Sequence, residues 1–331
     1  MNCLPGERGA AGEGGNLPLG AINMRENRSS WGRRVRFAPV ALTAVALLAS
    51  ACGKSTPSTA PSSAAAAGAF GATKDAAIAA EVPKSIASAG SVSVASDATY
   101  PPMESIVPGT ATIIGMDPDL GHAIGAVLGI KFNFQNVTFN KILLGLKSGQ
   151  YGLGMSSFTD EKSREQTVNF VDYFKAGTSF VVRSGSGLSL ASLDQICGMT
   201  VAVESGTTEQ SDATAQSKKC TAAGKKAVNV LAYPTQTQAN LTLSAGRAQV
   251  MMADTPVAAY QVKLSHGKFK LEGAYGVAPY GIAIPKNSGM AKPIEDAVNH
   301  LIAAGVYHKI ISRWGLQSGA ITKATINQAV S

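Results

Sequence analysis

The chain has 331 residues, 45% of them hydrophobic and 15% charged. That apolar fraction excludes whole-chain disorder, and the length suffices for one large or two modest cored domains. The formal net charge of +8 is diffuse: residues 1–51 hold six arginines against three glutamates, and the rest holds 23 basic against 18 acidic side chains with no basic stripe, which excludes a nucleic-acid surface.

Arg33-Arg34-Val35-Arg36 precedes an apolar stretch from Phe37 to Ala51, the pattern of an export signal. About 15 apolar residues rise only ~22 Å as a helix, short of the ~30 Å hydrocarbon core, so residues 1–51 read as a signal region rather than a permanent anchor. Met24 offers a later start, which would leave residues 1–23 outside the protein. Leu48-Ala49-Ser50-Ala51-Cys52 resembles the bacterial lipobox, with Ala49 where leucine is commonest; the resemblance implies that Cys52 carries lipid and anchors the chain to a membrane. Small, uncharged, proline-punctuated residues follow, and 52–89 reads as the lipidated cysteine and a flexible tether. Export also bears on the cysteines. With Cys3 in the discarded region and Cys52 lipidated, Cys197 and Cys220 remain as an even pair in an oxidising compartment and are expected to be bonded. Closing that loop contributes about 3 kcal/mol on the loop-entropy model. Two cysteines and four scattered histidines offer no metal site, and no metal or other cofactor is expected.

From Ser91 onward, strands alternate with amphipathic helices. Ser91–Ala95 reads as a strand, followed by a turn-rich run through Pro101-Pro102. Asp117-Pro118 reads as a cap and first turn, ahead of an apolar face of Leu120, Ile124, Val127 and Leu128. Lys131–Val137 is strand-like, and Thr138 caps a helix carrying Phe139, Ile142, Leu143 and Leu146. Strands are expected at Thr178–Arg183, Thr200–Glu204, Val228–Ala232, Arg247–Ala253 and Gly281–Pro285, with helices opening at Thr207 or Thr208, near Thr235 and at Thr255-Pro256. An apolar stripe of Ile294, Val298, Leu301 and Ile302 marks a further helix. The alternation implies an α/β fold with mainly parallel sheets.

Phosphate loops, dinucleotide fingerprints, zinc-protease motifs and serine elbows are missing from the sequence. Polar segments instead follow strands and open helices: Ser96–Pro102, Ser156–Thr159 with Arg164, Glu204–Glu209 and Ala253–Pro256. Ligands of open α/β sheets sit at such places, where helix N-termini offer free N–H groups.

These segments, with Gly115-Met116-Asp117-Pro118-Asp119-Leu120, Gly206-Thr207-Thr208 and the closing Gly305–Ile310, resemble the bacterial extracytoplasmic solute-binding proteins of the polar amino-acid type (family 3), which feed ATP-driven importers. The resemblance covers about 90–316. It implies a two-lobe periplasmic-binding-protein fold (type II), with two crossing strands: lobe one from 90–183 and 279–318, lobe two from 184–278, and 319–331 as a tail. It also implies a free amino acid as ligand, permease and ATPase subunits as partners, and no enzymatic activity. Arg164 would clamp the carboxylate. Asp254 would take the ammonium, helped near Ser157 and Thr159. Thr208 would add donors, and Tyr100 and Phe139 would wall the side chain. Asp97 occupies a place where relatives that take cationic side chains carry a carboxylate. Micromolar affinity is about −8 kcal/mol, over half of the roughly −15 that a ten-atom ligand can reach, so the lobes must close over it. Three departures stand out: Gly152 where the family usually has a structural aspartate, which bears little on function, Glu209 where glutamine is frequent, and Glu204, which is also acidic. Asp97, Glu204 and Glu209 together favour a cationic or neutral polar side chain. A sensor that docks on a receptor and a dehydratase of cyclic acids are the alternative readings, and a monomer suits a tethered shuttle.

Overall fold

The computed structural model describes residues 69–329. The signal region, Cys52 and the tether as far as residue 68 lie outside them. Residues 70–89, expected as tether, are folded. The Asp75 carboxylate accepts the N–H groups of Ala77 and Ile78 at 2.9 and 3.1 Å and so caps α1 (Ala76–Ala80); α2 (Lys84–Ala89) follows. Ala72 and Val82 are buried and Phe70 packs on the same core. Alanine serves helix and linker alike, so composition alone did not separate them.

The chain continues through β1 (Ser91–Ser96), a small sheet of β2 (Thr99–Tyr100), β3 (Glu104–Ile106) and β4 (Ile113–Ile114), then α3 (Met116–Leu128) and β5 (Lys131–Asn136). Next come α4 (Phe139–Lys147), β6 (Leu153–Thr159), the short α5 (Lys162–Glu165) and the long β7 (Val168–Arg183). Then follow β8 (Thr200–Glu204), α6 (Thr208–Ala222), β9 (Asn229–Tyr233), α7 (Gln236–Ser244), β10 (Val250–Asp254), α8 (Thr255–Leu264) and the long β11 (Phe269–Pro285). Finally α9 (Ala291–Ala303), α10 (Val306–Arg313) and β12 (Thr325–Ile326) complete the described chain. The expected tail is therefore partly structured, since Thr325 and Ile326 pair with Asp172 and Val171.

The main sheet runs β5-β1-β6-β11-β7-β10-β8-β9. Its two flanks, β5-β1-β6 and β10-β8-β9, are parallel; β7 and β11 are antiparallel to each other and to the strands beside them. The pairing of β7 with β11 starts at Val168–Pro285 in one half and ends at Arg183–Phe269 in the other. This is a mixed α/β fold of two lobes that share two crossing strands. Thr178–Arg183 and Gly281–Pro285, expected as short separate strands, are the ends of these 16- and 17-residue elements. Charged and glycine residues midway interrupted the apolar pattern. Asp117 is not the expected helix cap. Gly115 holds that position, where a Cβ would lie 2.0 Å from the Met103 carbonyl oxygen, and Asp117 is buried in the first turn.

Leu120, Ile124, Ile294, Val298 and Leu301 pack α3 and α9 onto the first half. Phe180, Val201, Val203, Ala213, Val250 and Met252 core the second half, which carries the expected Cys197–Cys220 disulfide (Cα–Cα 5.6 Å). At Gly152 a Cβ would come within 2.4 Å of Val92 Cγ2, so Val92 fills the space the family's usual aspartate would need.

Candidate functional site

The carboxyl ends of β1, β6, β8 and β10 surround one narrow cavity. All eight residues expected at a ligand site line it: Asp97, Tyr100, Phe139, Ser157, Thr159, Arg164, Thr208 and Asp254. Ser156, Glu204, Thr207 and Glu209 join them.

Arg164, on α5, is held from three sides. Nη1 donates to the Thr159 carbonyl at 2.9 Å, Nη2 to the Gly206 carbonyl at 3.1 Å, and Nε pairs with Glu161 at 3.1 Å. Its guanidinium also lies over the rings of Phe139 and Phe158, at 5.6 and 5.8 Å. Burial lowers its pKa, while Glu161, Glu209 and Asp254 pull the other way. Gly206 has φ 87°, and a Cβ there would meet Asn140 Cβ at 2.9 Å; only glycine lets the two backbones approach so closely. Phe139 has two roles, lining the cavity while stacking on Phe158 at 4.5 Å within the apolar cluster behind α4.

The two halves also meet at Tyr100 and Asp254. The Tyr100 hydroxyl donates to Asp254 Oδ2 at 2.9 Å and accepts the Asp254 N–H at 3.0 Å. Burial and then Glu209 push the Asp254 carboxyl well above its ordinary range. Asp97 accepts the N–H of Phe139 at 2.9 Å and both the N–H and hydroxyl of Thr99 at 3.1 and 2.7 Å. Glu209 accepts the hydroxyls of Thr178 and Thr208 at 2.7 and 3.2 Å. Thr207 caps α6, its hydroxyl accepting the Gln210 N–H at 3.3 Å, so Thr208 is the first helical residue.

Ser157 adopts φ 50°, in the left-handed region that costs a non-glycine residue energy, and its buried Oγ has no partner among the described residues. Asp117 holds that geometry, accepting the Ser157 N–H on Oδ2 at 3.0 Å and the Tyr173 hydroxyl on Oδ1 at 2.7 Å. Burial pushes Asp117 up to about 6. Beside it, the Ser156 hydroxyl accepts the Asp97 N–H and donates to Glu104, both at 2.9 Å. Strand alternation would send only one of Ser156 and Ser157 toward the cavity; the positive φ brings both. That support from Asp117, Tyr173 and Glu104 carried no signal in the sequence beyond the Gly115–Leu120 run.

One guanidinium, four buried carboxyl groups and several hydroxyls line one cavity between strand ends and helix starts. Burying unpaired charge is costly, so the arrangement is suited to a small ion of mixed charge.

Known proteins are similar to this chain in sequence and fold. The chain is 33% identical to "Arginine-binding protein ArgT" of Corynebacterium glutamicum over 253 residues, 76% of this chain and 83% of that protein. Among solved structures, an ancestral arginine-binding protein bound to arginine aligns with TM-score 0.63 and 31% identity over 68% of this chain and 98% of that one. An ancestral arginine-binding protein bound to glutamine aligns with TM-score 0.61 and 32% identity over 69% and 98%. The model of the bacterial extracellular solute-binding proteins, family 3, matches residues 92–317, and the chain belongs to that family.

Proposed function

We propose that this chain captures a free amino acid with a cationic side chain between its two lobes and delivers it, unaltered, to an ABC permease. The observation that carries the reading is the charge balance of the cavity, where Asp97, Glu204, Glu209 and Asp254 face a single guanidinium. A ligand with one carboxylate and two positive groups offsets that excess; an acidic amino acid worsens it. In this reading Arg164 holds the carboxylate and Asp254 the ammonium, with Ser157 and Thr159 beside it. Thr208 adds a hydroxyl and a free N–H at the start of α6. Tyr100 and Phe139 wall the aliphatic part, and Asp97 with Glu204 takes the distal cation. Lobe one comprises 90–183 and 279–318, and lobe two 184–278. Arginine is the first ligand to test, since the relatives named above are arginine-binding proteins. Family membership supports an extracytoplasmic place of work, and the Leu48–Cys52 segment supports a lipid anchor on Cys52 with the following residues as tether. Calorimetric titration with arginine, lysine, histidine, glutamine and glutamate tests the reading. Arginine or lysine is expected to bind tightest; tightest binding of glutamate overturns it.

A further inference from the structure

Glu204 and Asp97 end strands in opposite halves of the molecule and line the same cavity, each 2% exposed. Buried carboxyl groups that share one cavity with a single guanidinium do not all ionise, and the donors around each decide which keeps the charge. Asp97 already accepts three hydrogen bonds from Phe139 and Thr99. Glu204 Oε1 accepts none from the described residues, and the Gln236 N–H nearby is given to the Thr99 hydroxyl at 3.2 Å.

The other groups facing the pair do not relieve it. Glu209 on α6 adds negative charge, Asp254 at the end of β10 is itself pushed well above its ordinary range and committed to Tyr100, and Glu104 stands behind Asp97. Arg164 is engaged by Glu161 and by two carbonyls. Burial and then Asp97 push the Glu204 carboxyl up to about 10.

We infer that Glu204 determines specificity by proton exchange, standing protonated against Asp97 and releasing its proton when a cationic side chain enters between them. The inference rests on the amino-acid reading above. The O–H bond of Glu204 breaks, its proton passes to solvent, and the carboxylate left behind pairs with the incoming cation. A neutral amide side chain leaves the proton in place and accepts a hydrogen bond from it. Linkage then fixes the pH response. One proton more released with arginine than with glutamine means that arginine affinity rises about tenfold more steeply per pH unit than glutamine affinity.

Calorimetric titration of the full chain in phosphate and in Tris, buffers of unlike ionisation enthalpy, measures the release directly. Near pH ~7 arginine is expected to release close to one proton more than glutamine. Glu204→Gln is expected to abolish that difference and to bring the pH dependence of arginine affinity to that of glutamine. Asp97→Asn, which removes an acid facing the same cavity, is expected to reduce the difference as well. Arginine binding by the wild-type chain with no more protons released than glutamine overturns the inference alone, and so does a difference unaltered in Glu204→Gln. Failure of every amino acid to bind overturns it together with the reading beneath it.

Discussion

Arg164 shows how one side chain can be built for a task and supported for it. Its three protein contacts fix the plane of the guanidinium, and the stacked rings of Phe139 and Phe158 lie beside it. Charge-assisted hydrogen bonds are worth about 1.5–3 kcal/mol each, so losing a two-pronged clamp costs at least about a hundredfold in affinity. Arg164→Ala is therefore expected to abolish measurable amino-acid binding while leaving the far-UV spectrum and the cooperative melt nearly unchanged; wild-type affinity in that variant would show the site to be misplaced. The eight residues expected to line the cavity were legible because each lies near the carboxyl end of a strand or in the first turn of a helix, and because their segments resemble the family's. Asp117 was not. Its cap-like sequence context pointed to the helix end, whereas the structure uses its carboxylate to hold the backbone of Ser157. Nor could local sequence separate Thr207 from Thr208, because either hydroxyl can cap and only the turn geometry chooses.

At the scale of elements, α6 depends on more than its own sequence. It is polar along most of its length, with Glu209, Ala213, Gln216 and Cys220 as its buried residues. The Cys197–Cys220 bond ties its last turn to the segment before β8. Replacing both cysteines by alanine is expected to lower unfolding free energy by about 3 kcal/mol, measured by denaturant titration under non-reducing conditions. Because the first turn of α6 presents Thr208 and Glu209 to the cavity, ligand affinity should fall in the same variant by less than in Arg164→Ala. The strands β1, β5, β8, β9 and β10 were read within a few residues from apolar runs. The long ones were not, since β7 and β11 leave one half of the sheet for the other and their exposure changes along the way. In α1 and α2, which have no buried residues of their own, sequence periodicity had nothing to report.

At the scale of the whole molecule, buried carboxyls set the response to pH. Burial holds Glu204 up near about 10, Asp160 about 7, and Asp117 and Asp172 about 6, against roughly 4 in the unfolded chain. A raised carboxyl contributes stability that is complete below its unfolded value and is lost as pH climbs through its folded one. The depressed carboxyls of Asp75, Asp194, Glu165 and Glu272 act oppositely, but their contribution is already complete above pH ~4, as the window below requires. Without added amino acid, the melting temperature is expected to fall between about pH 6.5 and about pH 8.5, a window governed by Asp160 and Glu204. Differential scanning calorimetry across that window checks the sign, and Asp160→Asn should flatten part of the slope.

The sheet order also dictates a schedule for biosynthesis. The elements from β8 to α8 form one uninterrupted stretch, whereas β6 and β7 receive their neighbour β11 only after that stretch has been translated. On a chain emerging N-terminus first, the inserted half can assemble while its host still lacks two strands and two helices. The part made first is the part completed last.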